Sequence, residues 1–231
     1  MNIGKIHKIQ LDEVTAYLAG VIAGDGHISK GTKSKVDFSK DYRIVIDGIN
    51  REYLKHVCAL IKEVIKTKSL VKTKKPAFER KQELFSFQFR NKSFYYFLTK
   101  DLGIPAGKKC FSVSIPSQIF TSLDLQKAFL AGLFDTDGGI RGSSIGFTSA
   151  SEKLLDGTSQ ILYNLGISHK REVWLNKKYS QRYYGLKIAP QDIDKLLKNL
   201  PVRNMEKLNS IIHYAGVPER SNGAVLLRVQ A

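Results

Sequence analysis

A chain of 231 residues, 42% hydrophobic and 10% aromatic, has enough apolar matter for a packed core, which excludes a disordered polymer. Its formal charge of +16 points to a polyanion partner, nucleic acid before any other. Cys58 and Cys110 form no CxxC pair, so neither a zinc site nor a disulfide framework is expected. No stretch approaches the roughly 20 apolar residues that span a bilayer, and Met1–Glu13 lacks the apolar core of a signal peptide. An intracellular, cytoplasmic protein is expected, or an organellar one in a eukaryotic host.

After a basic lead-in, Asp12-Glu13 opens a helix whose acids favour its N-terminal dipole. It ends at Gly24-Asp25-Gly26, where glycines permit a left-handed exit. A hairpin follows, with a basic tip at Lys30–Lys35 and a strand at Tyr42–Ile46. Arg51–Lys66 returns to helical spacing. A second hairpin, Leu70–Lys75 with Leu84–Arg90, flanks a loop around Pro76–Lys81; Phe85, Phe87 and Phe89 alternate with Ser86, Gln88 and Arg90. Ser93–Leu102 closes this half as a helix. Gly103–Thr121 reads as a linker. The order then recurs: helix Leu125–Phe134, hairpin Ile140–Ser149, helix Ser151–Leu165 with Ser151 at its N-cap, hairpin Arg171–Leu175 with Tyr183–Ile188, helix Ile193–Leu200. The expected organisation is a first half over 1–102, a linker over 103–121, a second half over 122–217 and a weakly structured tail over 218–231.

The recurrence is sharpest in one segment. Ala16–Ile28 reads AYLAGVIAGDGHI and Ala128–Ile140 reads AFLAGLFDTDGGI, with seven of thirteen positions identical at a separation of 112 residues. Small residues four apart, Gly20 with Gly24 and Gly132 with Thr136, let two helix backbones approach closely. Such a crossing brings Asp25 and Asp137 together at the helix ends. Paired carboxylates repel unless a cation lies between them, and hard oxygen ligands suit Mg²⁺. A basic chain presenting two acids and Mg²⁺ has the parts of a phosphodiesterase. A single Asp-Gly is more often only a helix-terminal turn; the matched pair is not explained that way.

Leu18–Gly26 (LAGVIAGDG) and Leu130–Gly138 (LAGLFDTDG), with LGIPAGKK at Leu102–Lys109 and Ile115-Pro116 between them, resemble the two signatures of single-chain LAGLIDADG homing endonucleases, similar in size to archaeal intron-encoded members. The resemblance implies an α+β fold of two pseudosymmetric αββαββα halves, packed through the motif helices, whose antiparallel sheets form a DNA-binding saddle. It implies a monomeric, Mg²⁺-dependent, site-specific endonuclease that leaves 3′ overhangs; Mn²⁺ is expected to substitute and Ca²⁺ to bind without supporting cleavage. Double-stranded DNA is the expected partner, with intron RNA open to the same fold. Asp25 and Asp137 take the catalytic metal-binding positions, with the carbonyls of Gly24 and Thr136 assisting. Lys108 or Lys109 in the first half, and Lys207 in the second with Arg203 as a rival, take the place of a basic residue near the scissile phosphate. Relatives often carry Gln or Asn at the end of the first hairpin; here Gly48 and Ser149 stand there, with Asp47 and Asn50 nearby. An encoding intron or a free-standing gene is implied, and the ends, Met-Asn and Gln-Ala, show no intein splicing residues.

Expected DNA contacts are Lys30, Lys33, Lys35, Arg43, Lys72, Lys74, Arg80, Gln88 and Arg90 in the first half. In the second they are Arg141, Lys170, Arg171, Lys177, Lys178, Gln181, Arg182 and Lys187. Arg and Gln suit base edges, and loop-tip lysines suit phosphates. The competing readings are an RNA maturase and a non-cleaving DNA-binding regulator of the same fold, neither of which requires both acids.

Overall fold

A computed structural model describes residues 8–30, 41–75, 82–177 and 180–216. The first half runs α1 (Glu13–Gly24), β1 (Gly26–Ile28), β2 (Arg43–Gly48), α2 (Arg51–Val64), β3 (Lys72–Lys74), β4 (Leu84–Arg90) and α3 (Lys92–Tyr96), which continues as a π-helical turn over Phe97–Asp101. A 3₁₀ turn, Ser117–Thr121, leads into the second half. There α4 (Leu123–Asp137), β5 (Gly138–Arg141), β6 (Ser144–Ser149), α5 (Glu152–Asn164), β7 (His169–Asn176), β8 (Gln181–Ile188) and α6 (Ile193–Asn199) repeat the order, and α7 (Met205–Ala215) is added. The α+β architecture in two matched halves is thus present. Helix α7 is not predicted by the sequence reading; Asn204, whose side chain caps Lys207 N at 3.3 Å, was its start signal. The proposed tail falls outside the described residues.

Each half contains one antiparallel four-stranded sheet, ordered β1-β2-β4-β3 and β5-β6-β8-β7. Period-2 alternation sets the faces. Ile44, Ile46, Phe85, Phe87 and Phe89 are buried on the helix side of the first sheet, and Ile145, Phe147, Leu186 and Ile188 on that of the second. Among the described residues, no helix covers the opposite faces. Among the described residues, no helix is long and apolar enough to cross a membrane.

Two local expectations are revised. Ser151 stands at the N-cap of α5, but its hydroxyl donates to Val113 O at 2.6 Å and caps nothing. It ties the inter-half segment to the second half instead. That segment, the expected linker, is itself packed: Ile104, Val113, Ile115 and Ile119 are buried, and Gly107 N donates to Ile28 O at 2.7 Å.

Candidate active site and nucleic-acid interface

Helices α1 and α4 form the central crossing. Asp12 caps α1, accepting from Thr15 N at 2.8 Å while Thr15 Oγ1 accepts from Asp12 N, also at 2.8 Å. Ser122 caps α4 by accepting from Leu125 N at 3.1 Å. Both helices are buried along most of their length. The contact is made by glycine: a Cβ at Gly20 would stand 2.1 Å from Phe129 O, and one at Gly132 would stand 2.1 Å from Tyr17 O. These mirrored approaches are a pseudo-dyad. One turn further on, a Cβ at Gly24 would meet Thr136 Oγ1 at 2.1 Å and Asp137 Oδ2 at 3.3 Å. The two helix ends therefore converge, with Asp25 and Asp137 at their tips.

The exit from α1 differs from expectation. Asp25 stays right-handed at φ −84°, and Gly26 does not take positive φ. Glycine is needed there because a Cβ would lie 2.6 Å from Ile22 Cα; at Gly138 the obstacle is the Phe134 ring.

A lysine closes each helix end. Lys109, buried, donates to Ala23 O at 2.5 Å and Gly24 O at 2.7 Å. Lys207, from α7, donates to the carbonyls of Phe134, Asp135, Thr136 and Gly138 at 2.7–3.0 Å. Neither helix has a basic residue in its own last turn. Lysines from distant segments supply the cation that the negative dipole end favours. Of the first-half candidates, Lys109 reaches the helix end, while the Lys108 ammonium lies 5.2 Å from the Phe111 ring centroid. Of the second-half candidates, Lys207 reaches it, while the Arg203 guanidinium lies 4.5 Å from the Tyr17 ring centroid. The carbonyls of Gly24 and Thr136, expected to assist a metal, already accept from these lysines.

Electrostatics follow. Burial first, and the charge of Asp25 second, raise Asp137 to about 6 against Lys109, Lys207 and Arg141. Asp25 is open to solvent at the mouth of the crossing, yet loss of surrounding water still raises its carboxyl, opposed by Lys207 and Lys109. Burial lowers Lys109 against the pull of Asp137 and Asp25, and lowers Lys207 against Asp135, Asp25 and Asp137. Two acids both raised by burial, one of them also by the other's charge, with hard oxygens and no thiolate or imidazole in the set, fit a small divalent cation. Among the described residues no group of three or more His, Cys, Asp or Glu converges as a metal cage. Two carboxylates suit an ion that keeps water and phosphate oxygens in its shell.

Asp47 lies on β2, where its charge also raises Asp25. One of its oxygens pairs with Lys74, while Oδ1 is buried without a partner among the described residues. Asn50 and Ser149 are committed elsewhere: Asn50 caps Tyr53 N at 2.8 Å and reaches Glu206, and Ser149 Oγ accepts from Ser151 N at 3.0 Å.

Asp135 has no acidic counterpart at Ala23. It is 2% exposed and accepts from Tyr17 Oη at 2.6 Å, Arg203 N at 2.9 Å and Asn204 N at 3.1 Å. It ties the segment before α7 to both motif helices, and so fixes the root of Lys207.

Strand register sorts the expected DNA contacts. Arg43, Gln88, Arg90, Lys72 and Lys74 share the open face of the first sheet. Arg43 and Arg90 both lean on Asp41, at 3.5 and 3.2 Å. Lys170, Lys187 and Gln181 share the open face of the second sheet, where Lys187 pairs with Glu172 at 2.8 Å. Arg171 does not: register turns it to the helix side, where it pairs with Glu152 and Asp156 of α5. Arg182, opposite Leu175, shares that face. Lys30 and Lys177 are exposed beyond the strand ends, and Arg141 donates to Asp137 O at 2.9 Å. Lys33, Lys35, Arg80 and Lys178 lie outside the described residues. His27, opposite Val45, also faces the open side.

Residues 124–201 match the family model of the LAGLIDADG-like domain. The ribonucleoside-diphosphate reductase NrdEB subunit alpha of Bacillus subtilis (strain 168) is 29% identical over 189 residues, 77% of this chain and 16% of that protein. The replication factor C small subunit of Methanocaldococcus jannaschii is 27% identical over 202 residues, 87% of this chain and 10% of that protein. The chain thus spans less than a fifth of either relative. Among solved structures, the homing endonuclease I-DmoI in complex with DNA and Ca aligns at TM-score 0.62 and 23% identity, over 81% of this chain and 88% of that one. I-WcaI bound to its DNA recognition sequence aligns at TM-score 0.56 and 15% identity, over 89% and 87%. These likenesses establish a shared fold.

Proposed function

We propose that this chain is a homing endonuclease of the LAGLIDADG family that makes a metal-dependent double-strand break in a long DNA site and leaves 3′ overhangs. The convergence of Asp25 and Asp137 at the ends of two close-packed helices, each end closed by a buried or half-buried lysine, is the observation that supports this reading best. The basic open sheets on either side suit the major groove, which admits a two-stranded β-ribbon. Two halves in one chain supply both acids, so a monomer suffices.

Asp25 and Asp137 would hold Mg²⁺, which when bound would polarise phosphoryl oxygens and lower the pKa of water. The remaining work falls to side chains of this protein. Lys109 uses two donors on carbonyls, and its third is free to meet the scissile phosphate. Lys207 shares its three N–H groups among four carbonyls, so it holds the backbone around Asp137 more than it can reach outward. Asp47, with its unpartnered oxygen, orients water in place of the missing Gln or Asn. The halves then differ in chemistry while matching in acids.

In vitro selection tests this reading: a plasmid library of random inserts is incubated with the protein and Mg²⁺, and cleaved ends are sequenced. Recovery of one long site cut on both strands is expected, with cutting lost in Asp25→Asn and Asp137→Asn. Tight binding of structured RNA with no double-strand cleavage of any insert would overturn it.

A further inference from the structure

Register places Trp174 and Tyr183 opposite each other on the open face of the second sheet, their rings stacked at 6.1 Å and 18°. Trp174 remains 40% exposed, an unusual position for a large aromatic with no partner protein. Its indole lies across the Gly185 backbone, where a Cβ would stand 2.9 Å from the ring. On the adjacent strand Gly146 also lacks a side chain, and a Cβ there would strike Leu186 O at 1.8 Å. The result is a hollow of about 250 Å³ in the sheet surface, bounded by Trp174, Gly146, Gly185, Thr148, Arg141 and the Lys187–Glu172 pair.

The charges around it are satisfied within the protein. Lys187 is held by Glu172 at 2.8 Å, and Arg141 donates to Asp137 O at 2.9 Å. What is left facing outward is mainly the Trp174 ring and the glycine backbone, with Thr148 beside them. Among base-pair groups in the major groove, only the thymine C5-methyl is apolar.

We infer that this hollow is a socket for the C5-methyl edge of a thymine, and that Trp174 is the residue that selects it. The inference rests on the DNA-binding role proposed above. Because Arg141 links the hollow to Asp137, the thymine belongs to the inner part of the half-site read by the second half. Among the described residues of the first sheet, the corresponding place holds Lys72 and Lys74, opposite Ser86 and Leu84, and no tryptophan. One half-site is therefore read by charge and hydrogen bonding, the other partly by shape and methyl burial, as an asymmetric target requires.

The test begins with binding selection from a random duplex library, without cleavage, by the wild-type protein and by Trp174→Ala. Each thymine of the selected second half-site is then replaced by uracil, which removes only the methyl. One position is expected to lose roughly three- to five-fold in wild-type affinity, the size of one buried methyl group. Cytosine there should bind poorly and 5-methylcytosine should recover part of the loss. In Trp174→Ala the thymine–uracil difference should vanish while the other positions stay selected. Equal affinity for thymine and uracil at every position overturns the socket without touching the endonuclease reading, and needs no variant to fold. A difference that survives in Trp174→Ala also overturns it. Failure of wild type to select any sequence overturns both.

Discussion

Tyr17 on the first motif helix donates a 2.6 Å hydrogen bond to Asp135 on the second, across 118 residues of chain. The pair is buried, and Arg203 covers the Tyr17 ring while its own backbone N–H donates to the same carboxylate. Burial holds Asp135 at about 6, above its ordinary 3.8, despite these donors. The sign follows: an acid whose folded pKa is raised contributes fully when protonated in both states, below about 4, and its contribution is lost as pH rises to about 6. Wild type should lose on the order of 2–3 kcal/mol between pH 4 and 6.5 that Asp135→Asn does not lose. Urea unfolding at the two pH values measures this; parallel behaviour of the two proteins would show that Asp135 is ionised at no cost.

The mirrored glycines make a packing prediction. Gly20→Ala and Gly132→Ala each push a methyl into a carbonyl that cannot move without separating the helices. Each should cost about 1–3 kcal/mol or more, although alanine is intrinsically the better helix former. Thermal denaturation checks it. A rise in Tm for either variant would refute the close crossing.

The lysines should not be equivalent. Lys109→Met should reduce cleavage by roughly 10²–10³, the size of losing one donor to developing charge, with binding nearly unchanged. Lys207→Met should also lower stability, because four carbonyls lose their donor. A supercoiled plasmid bearing the site should show nicked intermediate with Lys109→Met. Equal loss on both strands, with no nicked species, would contradict the assignment of each lysine to one half.

Metal affinity should depend on pH. Protons compete with the cation for Asp137, whose folded pKa is about 6. At limiting Mg²⁺, cleavage should therefore climb between about pH 5 and 6.5 and level off above. Saturating Mg²⁺ should move the climb to lower pH. A rate flat across that range would remove Asp137 from the metal set.

Affinity for DNA should fall steeply with salt, with a log–log slope near −0.9 per phosphate neutralised. Lys72→Ala, on an exposed strand of the open face, should make that slope shallower by about one. Filter binding or fluorescence anisotropy across a salt series measures both.

Much of this was written locally. Period-2 alternation in Leu84–Arg90 set which face is buried, and small residues at i and i+4 with a following Asp-Gly announced the crossing and its acids. The acids of Asp12-Glu13 placed the start of α1, because they act on the first turn of their own helix; Ser122, the cap of α4, went unread. The rest depends on partners distant in sequence. Whether Lys108 or Lys109 serves the site turns on a loop conformation anchored by Gly107 to Ile28. Arg171 looked like a DNA contact until strand register turned it toward Glu152 and Asp156 of the neighbouring helix. Asp135 read as one more motif position, and only the meeting of α1, α4 and the turn before α7 gave it three donors. Sequence pattern alone determined which residues of β4 face inward and where the two motif helices lie, since those are properties of a chain segment. Tertiary structure decided which buried charges are paired, because a charge taken out of water is settled by whatever the fold brings within hydrogen-bond reach.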